Sequence, residues 1–167
     1  MIRVFSPNDK IFTSNGDLVI QPFKAKVHKV DNGDYYLDFE AGIQYADYLV
    51  SGKIIVVDTP QGAQAFRISD VTKKSTKITL KAWHVFYDIK NYLIADSNVV
   101  GKNGNDALDH LNGATEPQSA FTTLSDVQKV DSFRCVRKSL YEAIKTVIER
   151  WGGFGRSLNK FTAVYFA

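Results

Sequence analysis

The chain has 167 residues, 44% of them hydrophobic and 23% charged, which is too apolar for a chain disordered throughout. No run approaches the roughly 18 apolar residues of a spanning helix, residues 1–7 lack the apolar core of a secretory signal, and one cysteine, Cys135, excludes an internal disulfide framework or a multi-cysteine zinc site. The net charge is +3, with 12 basic and 11 acidic residues up to Val99 and 9 and 7 after it, so neither part is a basic arm. The lysine runs at residues 24–29 and 73–77 fall in strand and turn patterns and read as a solvated sheet face.

Residues 1–95 read as strands joined by tight turns. Asn15-Gly16 punctuates the first pair, and Leu18-Val19-Ile20 resumes the apolar run. The clearest hairpin surrounds Asp31-Asn32-Gly33. A two-residue loop at Asn32-Gly33 would pair His28 with Leu37 and Lys26 with Phe39, mixing charged and apolar residues on one face. A three-residue loop pairs Val27 with Leu37 and Ala25 with Phe39, so the apolar set shares a face; Gly33 is then expected in the left-handed position of a bulged turn. Between Phe39 and Gly52, the spacing of Tyr45, Tyr48 and Leu49 predicts a short helix. Residues 52–57 form a compact strand, and Thr59-Pro60-Gln61-Gly62 a turn. Phe66 and Ile68 share a face, and Ile78, Leu80 and Ala82 point inward from an alternating strand. Trp83 to Ile89 leaves that strand for a helical turn or bend.

Residues 96–104, with Asn98, Gly101, Asn103 and Gly104, read as a linker. A short helix follows at residues 106–111, ended by Asn112-Gly113. Residues 121–124 and 127–136 read as strands. The strongest helix spans Ser139 to Trp151: Ser139 and Glu142 have capping-box spacing, Leu140, Tyr141, Ile144, Val147, Ile148 and Trp151 form one stripe, and Gly152-Gly153 stops it. Residues 161–167 read as a final strand.

Candidate chemistry is sparse. His28, His84 and His110 lie in three elements, with no metal-binding spacing. Ser139, His84 and Asp88 can be written as a triad, but no Gly-x-Ser-x-Gly elbow supports it. Cys135 reads as a packed small hydrophobe. Gly101-Lys102-Asn103-Gly104 lacks the P-loop ending, and the glycines after Trp151 follow a helix instead of opening one, so neither cradles phosphate. Tyr36 and Trp83, near the lysine runs, could serve as stacking platforms for single-stranded nucleic acid if they are exposed.

Several segments together resemble the N-terminal region of the siphophage tail-tip hub family, also called tail-associated lysin or prophage endopeptidase tail protein, which is related to contractile-phage baseplate hubs. They are Ser14-Asn15-Gly16-Asp17-Leu18, the hairpin Val30-Asp31-Asn32-Gly33-Asp34-Tyr35-Tyr36-Leu37, Thr59-Pro60-Gln61-Gly62 with Ala65-Phe66-Arg67-Ile68, Ala82-Trp83-His84-Val85-Phe86-Tyr87-Asp88-Ile89, and the Ser139 to Gly153 helix. The segment holding His84, Tyr87 and Asp88 is the most specific. Residues 154–167 depart from the family pattern.

The resemblance implies an α+β fold: a small N-terminal β-barrel over residues 1–95, the hub domain, then a partial, truncated α/β domain over residues 96–167. It implies a virion structural protein, not an enzyme, that closes the tail tube as a ring beneath the distal tail protein. Its expected partners are sister hub subunits in a trimer, the distal tail protein and the tape-measure protein, with no membrane and no specific nucleic acid. Made in the bacterial host cytoplasm, it would end at the virion tail tip. No catalytic, cofactor-binding or metal residues are expected here; any hydrolase or receptor-binding activity in the family lies in a C-terminal extension. Gly33, His84, Tyr87 and Asp88 are then structural signatures, with Asp88 accepting backbone N–H bonds at a turn and His84 bridging two segments. As an incomplete hub the chain is expected not to form the native ring alone, and its final strand to fold back on the α/β part or pair between chains. The alternatives are a single-stranded nucleic-acid-binding barrel and a small hydrolase using His84.

Overall fold

The computed structural model describes residues 2–30 and 33–152, together with the backbone of residues 154–159 and 162–166. The chain divides into two units, Met1–Val85 and Phe86–Ala167.

The first unit holds β1 (Ile2–Phe5), β2 (Leu18–Ile20), β3 (Lys24–Lys29), β4 (Tyr35–Gly42), β5 (Ile54–Thr59), β6 (Gly62–Lys73) and β7 (Lys77–His84). They form one sheet in the order β2-β1-β5-β6-β7-β4-β3, antiparallel at every pairing. The sheet curls into a half-barrel. Period-two alternation places the core: Leu37, Phe39 and Ala41 of β4 lie opposite Ala82, Leu80 and Ile78 of β7, and all six are buried. Each large side chain buried there contributes roughly 1.5–3 kcal/mol.

Strand β5 breaks the alternation, because Ile54, Ile55, Val56 and Val57 are all buried. Both its faces are covered. Ile55 lies between Val4 and Phe66 on the core face. On the other face Ile54 lies opposite Phe5, whose ring meets Phe12 edge-on at 5.0 Å. The Phe12 segment is tied down by Arg3, which donates to the Phe12 and Ser14 carbonyls at 3.0 Å each. Gly16 closes it at φ +67, where a Cβ would lie 2.2 Å from the Val4 carbonyl oxygen, so only glycine fits.

The β3–β4 hairpin has the three-residue-loop register, with Val27 opposite Leu37 and Ala25 opposite Phe39. The turn is closed by two bonds, from the Gly33 N–H to the Val30 carbonyl at 3.0 Å and from the Val30 N–H to the Asp34 carbonyl at 2.8 Å, and a Cβ on Gly33 would lie 2.9 Å from the Val30 side chain. Asp31 and Asn32 lie outside the described residues.

A 3₁₀ segment, Val85–Asn91, leads into the second unit. This unit holds β8 (Leu93–Lys102), α1 (Gly104–Gly113), β9 (Thr115–Glu116), β10 (Thr122–Ser125), β11 (Asp131–Ser139), α2 (Leu140–Trp151), β12 (Phe154–Asn159) and β13 (Thr162–Phe166). Strands β11-β8-β9 make one antiparallel sheet. In the other, β13 lies between β10 and β12, parallel to the first and antiparallel to the second, so the final strand folds back on its own unit. Ile94, Val99, Leu108, Leu111, Phe133, Ile144 and Trp151 anchor the core.

Residues 96–104 are not a linker. Most of them belong to β8, and the expected boundary at residue 95 falls inside that strand. Asn98 and Gly101 suggested a loop, but pairing with β11, Phe133 opposite Val99 and Cys135 opposite Ser97, supplies the ladder that local composition does not advertise.

Candidate functional site

A buried polar cluster of the first unit surrounds His84, at the end of β7. Register sets it: β6 places Phe66 opposite His84, and β4 places Tyr36 opposite Trp83, which brings Tyr35 beside His84. The Tyr35 ring stacks on the imidazole at 4.4 Å, and the Phe66 ring meets it edge-on at 5.4 Å. Nε2 of His84 lies 3.0 Å from Oε1 of Gln64, itself buried, so an imidazole protonated at Nε2 donates to that amide oxygen. Lys29 caps the stack, its ammonium 5.0 Å from the Tyr35 ring centre and 2.8 Å from Oε1 of Gln61.

Burial, assisted by the Lys29 charge, lowers the His84 pKa to about 3, and burial alone raises that of Tyr35 to about 12. Both groups are neutral across the physiological range. The imidazole is 1% exposed and covered by two rings, a geometry that fixes a core and gives a substrate no approach.

The opposite sheet face carries a row that the sequence presented only in pieces. His28, Tyr36, Trp83 and Arg67 lie side by side across β3, β4, β7 and β6. The His28 ring stacks on Tyr36 at 4.6 Å, and Nε2 of His28 lies 2.9 Å from Oδ2 of Asp38. The Lys81 ammonium sits 3.9 Å from the Tyr36 ring centre and 4.6 Å from that of Trp83. The two aromatics proposed as stacking platforms therefore share the outer face, but a cation from their own sheet already occupies the ring faces a base would use.

Gly33 is in the β3–β4 turn and His84 in the first unit's core, whereas Tyr87 and Asp88 lie in the 3₁₀ segment. There Tyr87 is 6.1 Å from Tyr141 of α2, and Lys90 lies 4.9 Å and 4.8 Å from their ring centres. Cys135 is fully buried in the second core, and burial raises its pKa, as suits a packing residue. Among the described residues no group of three or more His, Cys, Asp or Glu is placed to hold a metal ion. Sequence reasoning missed Gln64, Tyr35 and Lys81. Their roles depend on strand register, and only the β3–β4 part of it could be read from the hairpin pattern.

A curled antiparallel sheet followed by an α/β unit is an architecture shared with phage baseplate hub proteins. The solved structures that match bear this out. The chain superposes over 99% of its length on prophage tail protein gp18 from Listeria monocytogenes, with a TM-score of 0.71 at 11% identity, and covers 50% of that protein. Against the tail protein from Neisseria meningitidis the TM-score is 0.60 at 17% identity, over 79% of this chain and 41% of that one. Against Escherichia coli c3393, a type VI secretion component described as structurally similar to T4 bacteriophage tail proteins gp27 and gp5, it is 0.54 at 6% identity, over 86% and 48%. The chain thus spans about half the length or less of these structures. No protein-family model and no curated protein matches it. At these identities the likeness is one of fold, and it is the fold that the tail-tip hub resemblance led one to expect.

Proposed function

We propose that the chain is a structural component of a phage or prophage tail, working at the tail tip as a baseplate hub that closes the tail tube in a ring beneath the distal tail protein. The observation that carries this reading is the superposition of almost the whole chain on a prophage tail protein. Its partners are sister hub subunits, in a trimer in the complete protein, the distal tail protein and the tape-measure protein. Its role is assembly, not catalysis: His84 is packed between rings in the core. It is made in the host cytoplasm and reaches the virion tail tip.

Co-expression with the distal tail protein encoded beside it, followed by electron microscopy of the purified complex, tests the proposal. A ring of hub subunits stacked on the distal tail ring is the expected result. Failure of the complete hub to bind the distal tail protein would overturn the position assigned here, and turnover of a substrate lost with His84→Ala at unchanged thermal stability would overturn the non-catalytic reading.

A further inference from the structure

Strand β3 ends the seven-stranded sheet and, among the described residues, has a sheet neighbour only on its β4 side. The direction of its free groups follows from the register. Val30 donates to the Asp34 carbonyl at 2.8 Å, and the same alternation turns the amides of Lys24, Lys26 and His28 toward β4. The amides and carbonyls of Ala25 and Val27 therefore point out of the sheet. The side chains are sorted too. Ala25 and Val27 continue the core face of Phe39 and Leu37, yet Ala25 is exposed and Val27 only half-buried, and Phe23, two residues before Ala25, is 68% exposed. On the other face stand Lys24, Lys26 and His28.

On its paired side, β3 is read by a strand of one pattern: Leu37 and Phe39 meet Val27 and Ala25, while Asp38 and Glu40 meet Lys26 and Lys24. The open side offers the same two rows. We infer that the free edge of β3 accepts a strand from a partner protein, one that alternates apolar and acidic residues. The inference rests on the reading of this chain as an assembly component and names the chemistry of one contact. Two copies joined through β3 would set Lys24 and Lys26 against lysines, which disfavours that pairing. The opposite edge strand, β2, has three residues and would leave half of the six-residue β3 edge uncovered. Main-chain bonds would supply affinity, and the alternating side chains specificity.

The test uses the full chain and a fluorescein-labelled peptide copying residues 35–42, with a control peptide carrying Asp38→Lys and Glu40→Lys. Fluorescence anisotropy should report saturable binding of the acidic peptide, weakened by salt, and at least tenfold weaker binding of the lysine peptide. Ala25→Pro removes an outward N–H without touching the β4 ladder, so it should cost tenfold or more in affinity at unchanged circular dichroism and Tm. If that variant is unstable, Lys24→Glu with Lys26→Glu serves instead and should reverse the preference between the peptides. Equal binding of both peptides, or undiminished binding by Ala25→Pro, which would mean that the peptide displaces β4, overturns the proposal. So does self-association of the chain that Ala25→Pro abolishes. None of these outcomes bears on the ring assembly tested by microscopy, so the two readings fail separately.

Discussion

The first unit is one antiparallel sheet whose core includes a neutral histidine held between aromatic rings; the second lays two short helices on small sheets around a core of apolar side chains and Cys135. The difference lies in where each stores its specificity. The sheet depends on register: one slip would turn Phe39, Leu80 and His84 to the opposite face. The second unit depends on helix placement. α2 is fixed by a capping box at Ser139 and Glu142 and, at its other end, by Trp151, whose Nε1–H donates to the Lys102 carbonyl at 2.8 Å.

This comparison can be broken most directly at Trp151. Trp151→Ala empties a site that is 3% exposed and removes the bond to Lys102, an expected loss of about 3–5 kcal/mol. In denaturant unfolding the loss should fall on the transition of the second unit; an equal shift of every probe would mean that the two units unfold as one.

The next effect belongs to the first unit alone. Burial depresses the folded-state pKa of His84 to about 3, below the unfolded value of 6.5. Between those values the unfolded chain binds the extra proton. Stability is therefore full above about pH 6.5 and declines as the pH falls toward 3, by roughly 3–5 kcal/mol over that interval. Urea titrations across this window should show the slope, and His84→Gln should flatten it. An unchanged slope in the variant would assign the acid sensitivity to other groups.

A smaller change is expected at the α2 cap. Ser139 accepts from the Glu142 backbone N–H, and the Glu142 carboxylate accepts from the Ser139 N–H at 2.9 Å and from its hydroxyl. Those bonds, the backbone one first, lower the Glu142 pKa. Ser139→Ala should cost about 1 kcal/mol, read as a lower Tm of the second unit. The smallest effect is expected at Asp96, paired with Arg134 on the exposed face of the β8–β11 sheet. Asp96→Asn should leave Tm unchanged within error at physiological salt, because both partners are solvated. A clear drop would show that this sheet face is less open to solvent than its exposure implies.

Much of this was legible in particular residues. Ser139 with Glu142 marked the start of α2, because a cap is a local arrangement three residues long. The β3–β4 register followed from asking which loop length keeps Val27, Ala25, Leu37 and Phe39 on one face. Of the candidate site, His84 and the outer-face pair Tyr36 and Trp83 were visible, but the partners that define their chemistry were not. Gln64 lies 20 residues from His84, and nothing in the local sequence at Gln64 signals a buried amide.

The sequence by itself determined which segments alternate, where the chain turns and where its best helix begins, since each of those depends on neighbours within a few residues. Tertiary structure decided the rest. It made residues 96–102 a strand by setting β11 beside them, and it brought the buried Gln64 amide within 3.0 Å of the His84 ring. It also placed Lys81 over the rings of Tyr36 and Trp83. The physical reason is common to all three: such interactions pair groups distant in sequence or set by packing geometry, and their free energy appears only once the fold has brought them together.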